Sequence, residues 1–155
     1  VITRGIAISI LLGLSLVSCD DSSLSSQERP STSKEEISLG KRGDYEKIDL
    51  DTLAQSDSQE ANLVGDDPET IVLEQFGFSQ LRESQEQKVT VQYPQDNQAI
   101  VILTQTGLLD DSVAGIRYRV ELVSNQETWR VVWVGRQYKC QPGRGHQDWS
   151  TQLCA

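Results

Sequence analysis

The chain has 155 residues, with 14 Lys and Arg against 23 Asp and Glu and a formal net charge of −9 at pH 7. This length leaves room for one modest folded body, and the acidic balance argues against nucleic acid as a partner. One histidine and three cysteines supply little material for a metal centre or a nucleophilic relay.

Arg4 is the only charged residue before Asp20, and Gly5 to Val17 is a thirteen-residue run dominated by apolar side chains. A positive start, a short apolar core and a small residue near its exit are the parts of a secretory signal. A spanning helix needs about 20 apolar residues, so the run reads as a signal over residues 1–18 rather than a permanent anchor. Its exit is Leu16-Val17-Ser18-Cys19. This tetrapeptide resembles the lipobox of bacterial lipoproteins. The resemblance implies that the Cys19 thiol takes a diacylglycerol, that cleavage falls before Cys19, and that the new amine is acylated. One acyl chain holds a protein only marginally, whereas two or three hold it stably. The lipid bilayer is therefore an expected partner through acylated Cys19, with the protein exported and tethered to a bacterial membrane.

From Asp20 to Gly65 the sequence is rich in Ser, Asp, Glu, Gln and Lys, with sparse apolar residues in no sustained period. Such composition does not bury enough surface to offset the entropy of ordering. Residues 19–65 are expected to be a long, disordered, acidic linker, with Ile37 to Gln55 able to form a short strand or turn against the body. The folded domain is expected over 66–155.

That domain opens with "DDPETIVLEQFG". Asp66 or Asp67 can cap a helix, Pro68 suits its first position, Glu69 suits its positive end and Gly77 its stop. Ile71, Val72 and Phe76 form its apolar stripe. Four strands follow. "KVTVQY" (Lys88 to Tyr93) alternates, and "AIVILTQT" (Ala99 to Thr106) is almost continuously apolar, as in a central strand. "GIRYRVELV" places Ile116, Tyr118, Val120 and Leu122 on one face and Arg117, Arg119, Glu121 and Val123 on the other. "TWRVVWVGRQYKC" is the last, with a bulge or bend expected at Gly135. The sum is an α+β fold, one short helix packed on a four-stranded antiparallel meander sheet. That element order resembles cystatin-like and nuclear-transport-factor-like domains, and it implies fold alone.

Cys140 and Cys154 remain after lipidation. In an exported protein an even pair implies a disulfide, and closing a loop of this size is worth about 3 kcal/mol to a small domain. The closed loop, "CQPGRGHQDWSTQLC", holds Arg144, His146 and Trp149. As a stapled turn its glycines supply positive φ and Trp149 packs back on the sheet. As an interface it displays Arg144, His146 and Trp149, since Trp and Arg are favoured anchors. A metal held by Cys140, His146 and Cys154 matches no standard zinc spacing, so neither metal nor cofactor is expected. His146 and Asp148 lack an activated nucleophile, so no enzyme is expected either.

The segment "WRVVWVGRQYKCQPGRGHQDWSTQLC" resembles the C-terminal part of small lipoproteins encoded by cyanobacteria, a group with no established activity. The likeness covers about residues 66–155 and implies a plasma or thylakoid membrane, with the outer membrane left open. From Ser112 onward six Lys and Arg face three Asp and Glu. Arg117, Arg119, Arg130, Arg136, Lys139 and Arg144 read first as a solvated sheet face, and second as a patch for anionic lipid or an acidic partner. Two functions follow. One is a membrane-anchored, non-catalytic binding or assembly module docking on a membrane protein complex. The alternative is a ligand-binding or enzymatic domain with a pocket between helix and sheet.

Overall fold

A computed structural model describes residues 39–54 and 62–155. The expected signal over 1–18, Cys19 and linker residues 20–38 and 55–61 lie outside the described residues. Among the described residues, no helix is long and apolar enough to cross a membrane.

The elements in chain order are β1 (Glu46–Ile48), α1 (Leu50–Ala54), β2 (Val64–Gly65), α2 (Pro68–Phe76), β3 (Glu86–Gln95), β4 (Gln98–Thr106), β5 (Val113–Asn125) and β6 (Thr128–Cys140). They form a mostly-sheet α+β fold. The sheet is antiparallel and six-stranded, in the order β1-β6-β5-β4-β3, with β2 also paired to β6. The expectation of four strands and one helix is corrected at the N-terminal side. β1, β2 and α1 all come from the stretch assigned to the linker, and the folded body takes in residues from Leu39 onward. The physical reason lies in β6. This thirteen-residue strand pairs with β5 along one edge, which leaves the other edge a row of unpaired backbone groups. Glu46–Ile48 covers one part of that edge, opposite Arg136–Val134, and Val64–Gly65 covers another, opposite Arg130–Trp129. β1 falls within Ile37 to Gln55, where a short strand or turn against the body is expected, whereas the two residues of β2 carry too little side-chain period to announce themselves.

Helix α2 begins and ends as its residues dictate. The Asp67 carboxylate accepts from the Thr70 amide at 2.8 Å, Pro68 opens the first turn, and the Gly77 amide donates to the Leu73 carbonyl at 2.8 Å. A Cβ at Gly77 would lie 2.3 Å from that carbonyl oxygen, so the close approach requires glycine. Ile71 and Val72 are buried against Ala99, Val101, Leu103, Val120, Leu122, Val131 and Val134. The β3–β4 hairpin turns at Asp96-Asn97 and the β5–β6 hairpin at Gln126-Glu127, as the turn residues indicate.

Gly135 corrects a second expectation. It pairs regularly with Arg119, and the extra residue of β6 is Val132, where the register passes from Glu121↔Trp133 to Leu122↔Val131. Gly135 is a clearance instead. A Cβ there would lie 2.4 Å from the Trp133 ring and 2.7 Å from the Tyr45 Cβ. Tyr45 belongs to a strap, residues 39–45, that crosses the sheet face opposite α2. Its ring meets Trp133 edge-on at 6.4 Å.

Candidate functional site

The sheet face opposite α2 carries the β5 stripe Gly115, Arg117, Arg119 and Glu121, as strict alternation requires. Its surroundings differ from an open solvated face. Arg119 is only 7 % exposed. Its guanidinium reaches the Glu121 carboxylate at 3.0 Å and donates to the Leu39 and Gly40 carbonyls at 3.0 and 3.1 Å. Arg42 closes the strap on the same carboxylate, its Nε donating at 2.9 Å, and its guanidinium lies 5.3 Å from the Trp133 ring centre. Burial alone would raise the Glu121 carboxyl, but hydrogen bonds from Arg42 and Arg119, aided by their charges, hold it below its ordinary value. Gln137 completes the fastening by donating to the Asp44 carbonyl at 2.8 Å.

Gly115 lies at the other end of the stripe and is covered from the C-terminus. The Cys140–Cys154 disulfide forms, with a Cα–Cα distance of 5.4 Å. Tyr138 and Ser150 exchange backbone hydrogen bonds of 2.7 and 3.0 Å, which fix the returning chain on β6. Trp149 is thereby laid over Gly115, where a Cβ would come within 3.0 Å of the indole.

Arg117 sits between the two covers. Its guanidinium stacks on Trp149 at 4.3 Å, a cation–π distance, and its Nε donates to the Thr104 hydroxyl at 3.2 Å. Among the described residues it makes no ion pair with a carboxylate. Burial pushes its pKa down, with the Tyr45 phenol acting the other way. The gap over it is a polar recess of about 530 Å³. Arg117 and Gln137 form its floor, Asp44 and Tyr45 the strap-side wall, and Trp149, Ser150 and Thr151 the opposite wall. Burial raises the Tyr45 phenol, against the pull of Arg117 and Arg119.

The residues singled out in the closed loop part company. Arg144 is exposed at the tip between Gly143 and Gly145, whose φ values of 80° and 139° give the reason for glycine on either side. His146 turns into the loop. Its Nδ1 lies 2.8 Å from the Asp148 carbonyl, and its Nε2 lies 2.9 Å from the Gln152 carbonyl and 3.4 Å from the Cys140 Sγ. The ligand atoms of Cys140, His146 and Cys154 lie within 4.8 Å of one another, but both sulfurs are joined in the disulfide. Trp149 alone of the three reaches the recess. The other basic residues also divide, since Arg136 points to the helix side and pairs with Glu46 at 2.9 Å.

A second recess of about 400 Å³ lies on the helix side. Tyr118 stacks on Phe76 there, with ring centres 4.8 Å apart, and Leu53 and Arg136 also line it. Burial raises the Tyr118 phenol, offset in part by Arg136.

Reasoning from sequence found Arg117 and Trp149 but missed Asp44, Tyr45 and Gln137. One signal pointed to them. Ile100, Ile102 and Trp133 fall on the same face as Arg117 and Arg119 by register, and a face with that much apolar area requires a cover.

No protein-family model matches this sequence, and no curated protein and no solved structure is significantly similar to it.

Proposed function

We propose that this protein is a membrane-anchored lipoprotein that presents a small, non-catalytic binding module at a bacterial cell envelope or thylakoid surface. The anchor rests on Leu16-Val17-Ser18-Cys19 at the end of an apolar signal core. The binding surface rests on one observation, a half-buried Arg117 cation that faces a polar recess without a carboxylate partner among the described residues. Natural proteins neutralise buried charges, because an uncompensated one costs several kcal/mol. A charge left open beside a cavity is a place for a ligand or partner to supply the counter-ion.

Two measurements test the two halves of this reading. Cys19→Ala abolishes lipid labelling and leaves an unprocessed precursor. Continued labelling and maturation at the same site sink the lipoprotein assignment. For the surface, the tagged native protein is recovered from solubilised membranes with its companions. Arg117→Ala loses them, while Arg144→Ala, at the far tip of the loop, retains them. The opposite pattern moves the interface to the loop tip, with Arg144 and His146 as its anchors.

The helix-side recess favours a second reading, a small-ligand site that uses Tyr118 and Arg136. Its cation is already paired with Glu46, so it ranks behind the recess over Arg117.

A further inference from the structure

We infer that the recess over Arg117 is a carboxylate site, filled by a small free acid or by the C-terminal carboxylate of a peptide. The inference rests on the reading of that recess as the binding surface and names the chemistry it takes.

Geometry selects the ligand. The Arg117 Cζ lies over the Trp149 ring, 4.3 Å from its centre, and Thr104 takes the Nε–H at 3.2 Å. The donors that remain are the Nη–H groups, which lie in the guanidinium plane, so a ligand approaches edge-on. The planar fork of arginine matches the two oxygens of a carboxylate. The Trp149 contact and the Thr104 hydrogen bond restrain the fork before the ligand arrives, which lowers the ordering cost of binding. Hydroxyls line the wall beside it. Ser150 Oγ accepts from the Gln152 amide at 3.2 Å, so its own O–H is left to donate, and Thr151 adds a second hydroxyl.

Charge narrows the class. Among the described residues, Arg117 is the one basic side chain lining the recess, and Asp44 stands in the strap-side wall. A dianion such as phosphate meets one cation and one anion there, and the second charge is repelled. A monoanion pairs with Arg117 and leaves one excess negative charge rather than two. Asp44 Oδ2 accepts from the Lys41 amide at 2.6 Å, which leaves Oδ1 for a donor on the ligand. The Oε1 of Gln137 is a second such acceptor, since its Nε2 is spent on the Asp44 carbonyl. An amide N–H beside a terminal carboxylate suits that pair of acceptors. Desolvation that weakens the Arg117 cation is offset once a carboxylate sits beside it.

NMR titration of the full chain tests the assignment, following the Trp149 indole N–H and the Arg117 Nε–H. The probes are acetate, a short peptide with a free C-terminus, the same peptide amidated, and inorganic phosphate. Acetate and the free-acid peptide should give saturable shifts of both signals. A free peptide that binds at least about tenfold (1.4 kcal/mol) more tightly than acetate and loses that gain on amidation marks a peptide terminus as the source. Equal affinity for the two marks a free acid. Phosphate should bind more weakly than either. Arg117→Gln and Arg117→Lys should each lose at least about tenfold in affinity, because lysine keeps the charge but not the fork. The Tyr138 and Ser150 amide signals certify that each variant remains folded. Silence of both reporter signals with every carboxylate, phosphate binding as tight as acetate, or full affinity in folded Arg117→Lys overturns the inference. Partner recovery lost in Arg117→Ala together with such silence leaves the recess an interface and overturns only its chemistry. Carboxylate binding with partner recovery intact does the reverse.

Discussion

Arg119 and Arg117 lie two residues apart on β5 and point to the same sheet face, yet they are held in opposite ways. The strap from Leu39 to Tyr45 gives Arg119 two carbonyls, and Glu121 on the same strand adds a carboxylate. The stapled C-terminal loop offers Arg117 an aromatic ring and leaves its charge open. The first arrangement engages all three guanidinium nitrogens and fastens a segment. The second fixes a cation's orientation without neutralising it, which suits a group that meets something from outside. The same residue type, on the same strand, is structural or available according to what covers it.

The comparison can be broken in several ways, and the disulfide carries the largest effect. Cys140→Ser should cost about 2–5 kcal/mol, the usual loss for a small domain, read from urea midpoints. Hydrogen exchange sharpens it. The Ser150 amide, bonded to Tyr138 across the loop, should lose more protection than the Asp44 and Tyr45 amides of the strap. Equal loss on both sides would mean that the two covers are not independent.

Next in size is the strap's lock. Glu121→Gln should cost about 1.5–3 kcal/mol, the range for a hydrogen bond to a charged group, because Arg119 is left buried beside carbonyls alone. Arg119→Ala should fall in the same range. Arg117→Ala should change stability by less than about 1 kcal/mol, since the lost aromatic contact is offset by relief of a partly desolvated charge that has no carboxylate partner among the described residues. Equal costs for Arg117→Ala and Arg119→Ala would erase the distinction between the two.

Acid should loosen the strap before it affects the loop. The Glu121 carboxyl is held below its ordinary value of 4.5. Its stabilising contribution is therefore complete above that value and lost as pH falls through the lower folded value. Thermal midpoints followed from about pH 5 down to pH 3 should fall more steeply for the wild type than for Glu121→Gln. Parallel curves would remove Glu121 from the account. The smallest effect belongs to Arg144→Ala, which should leave thermal stability within about 0.5 kcal/mol, because the side chain is exposed at the loop tip.

Much of the body was legible in advance because it follows from local chemistry. Asp67, Pro68 and Gly77 mark the ends of α2. Alternation separates Tyr118 and Val120 from Arg117 and Arg119. The pairing of Cys140 with Cys154 also follows from the residues and an expected export route. The strap was legible only as a short strand or turn expected somewhere in Ile37 to Gln55. Asp44 and Tyr45 sit in polar sequence with no period, and their order comes from a face some 80 residues further along the chain, through Leu39, Gly40 and Arg42 to Arg119 and Glu121. Gly135 shows the same limit. A glycine within a strand signals a bulge or a close approach, and only the positions of Trp133 and Tyr45 decide between them.

By itself the sequence determined α2 with its caps, the four strands β3 to β6, the disulfide pair and the face on which each arginine of β5 lies, because these depend on residues near one another or on the period of a strand. Tertiary structure alone decided that the open edge of β6 recruits two short strands, that Arg119 is locked, and that Arg117 is left open between two covers. Those outcomes depend on which distant backbone groups and rings arrive at one face. Residue identity sets what a side chain can bind, and the fold sets what is there to be bound.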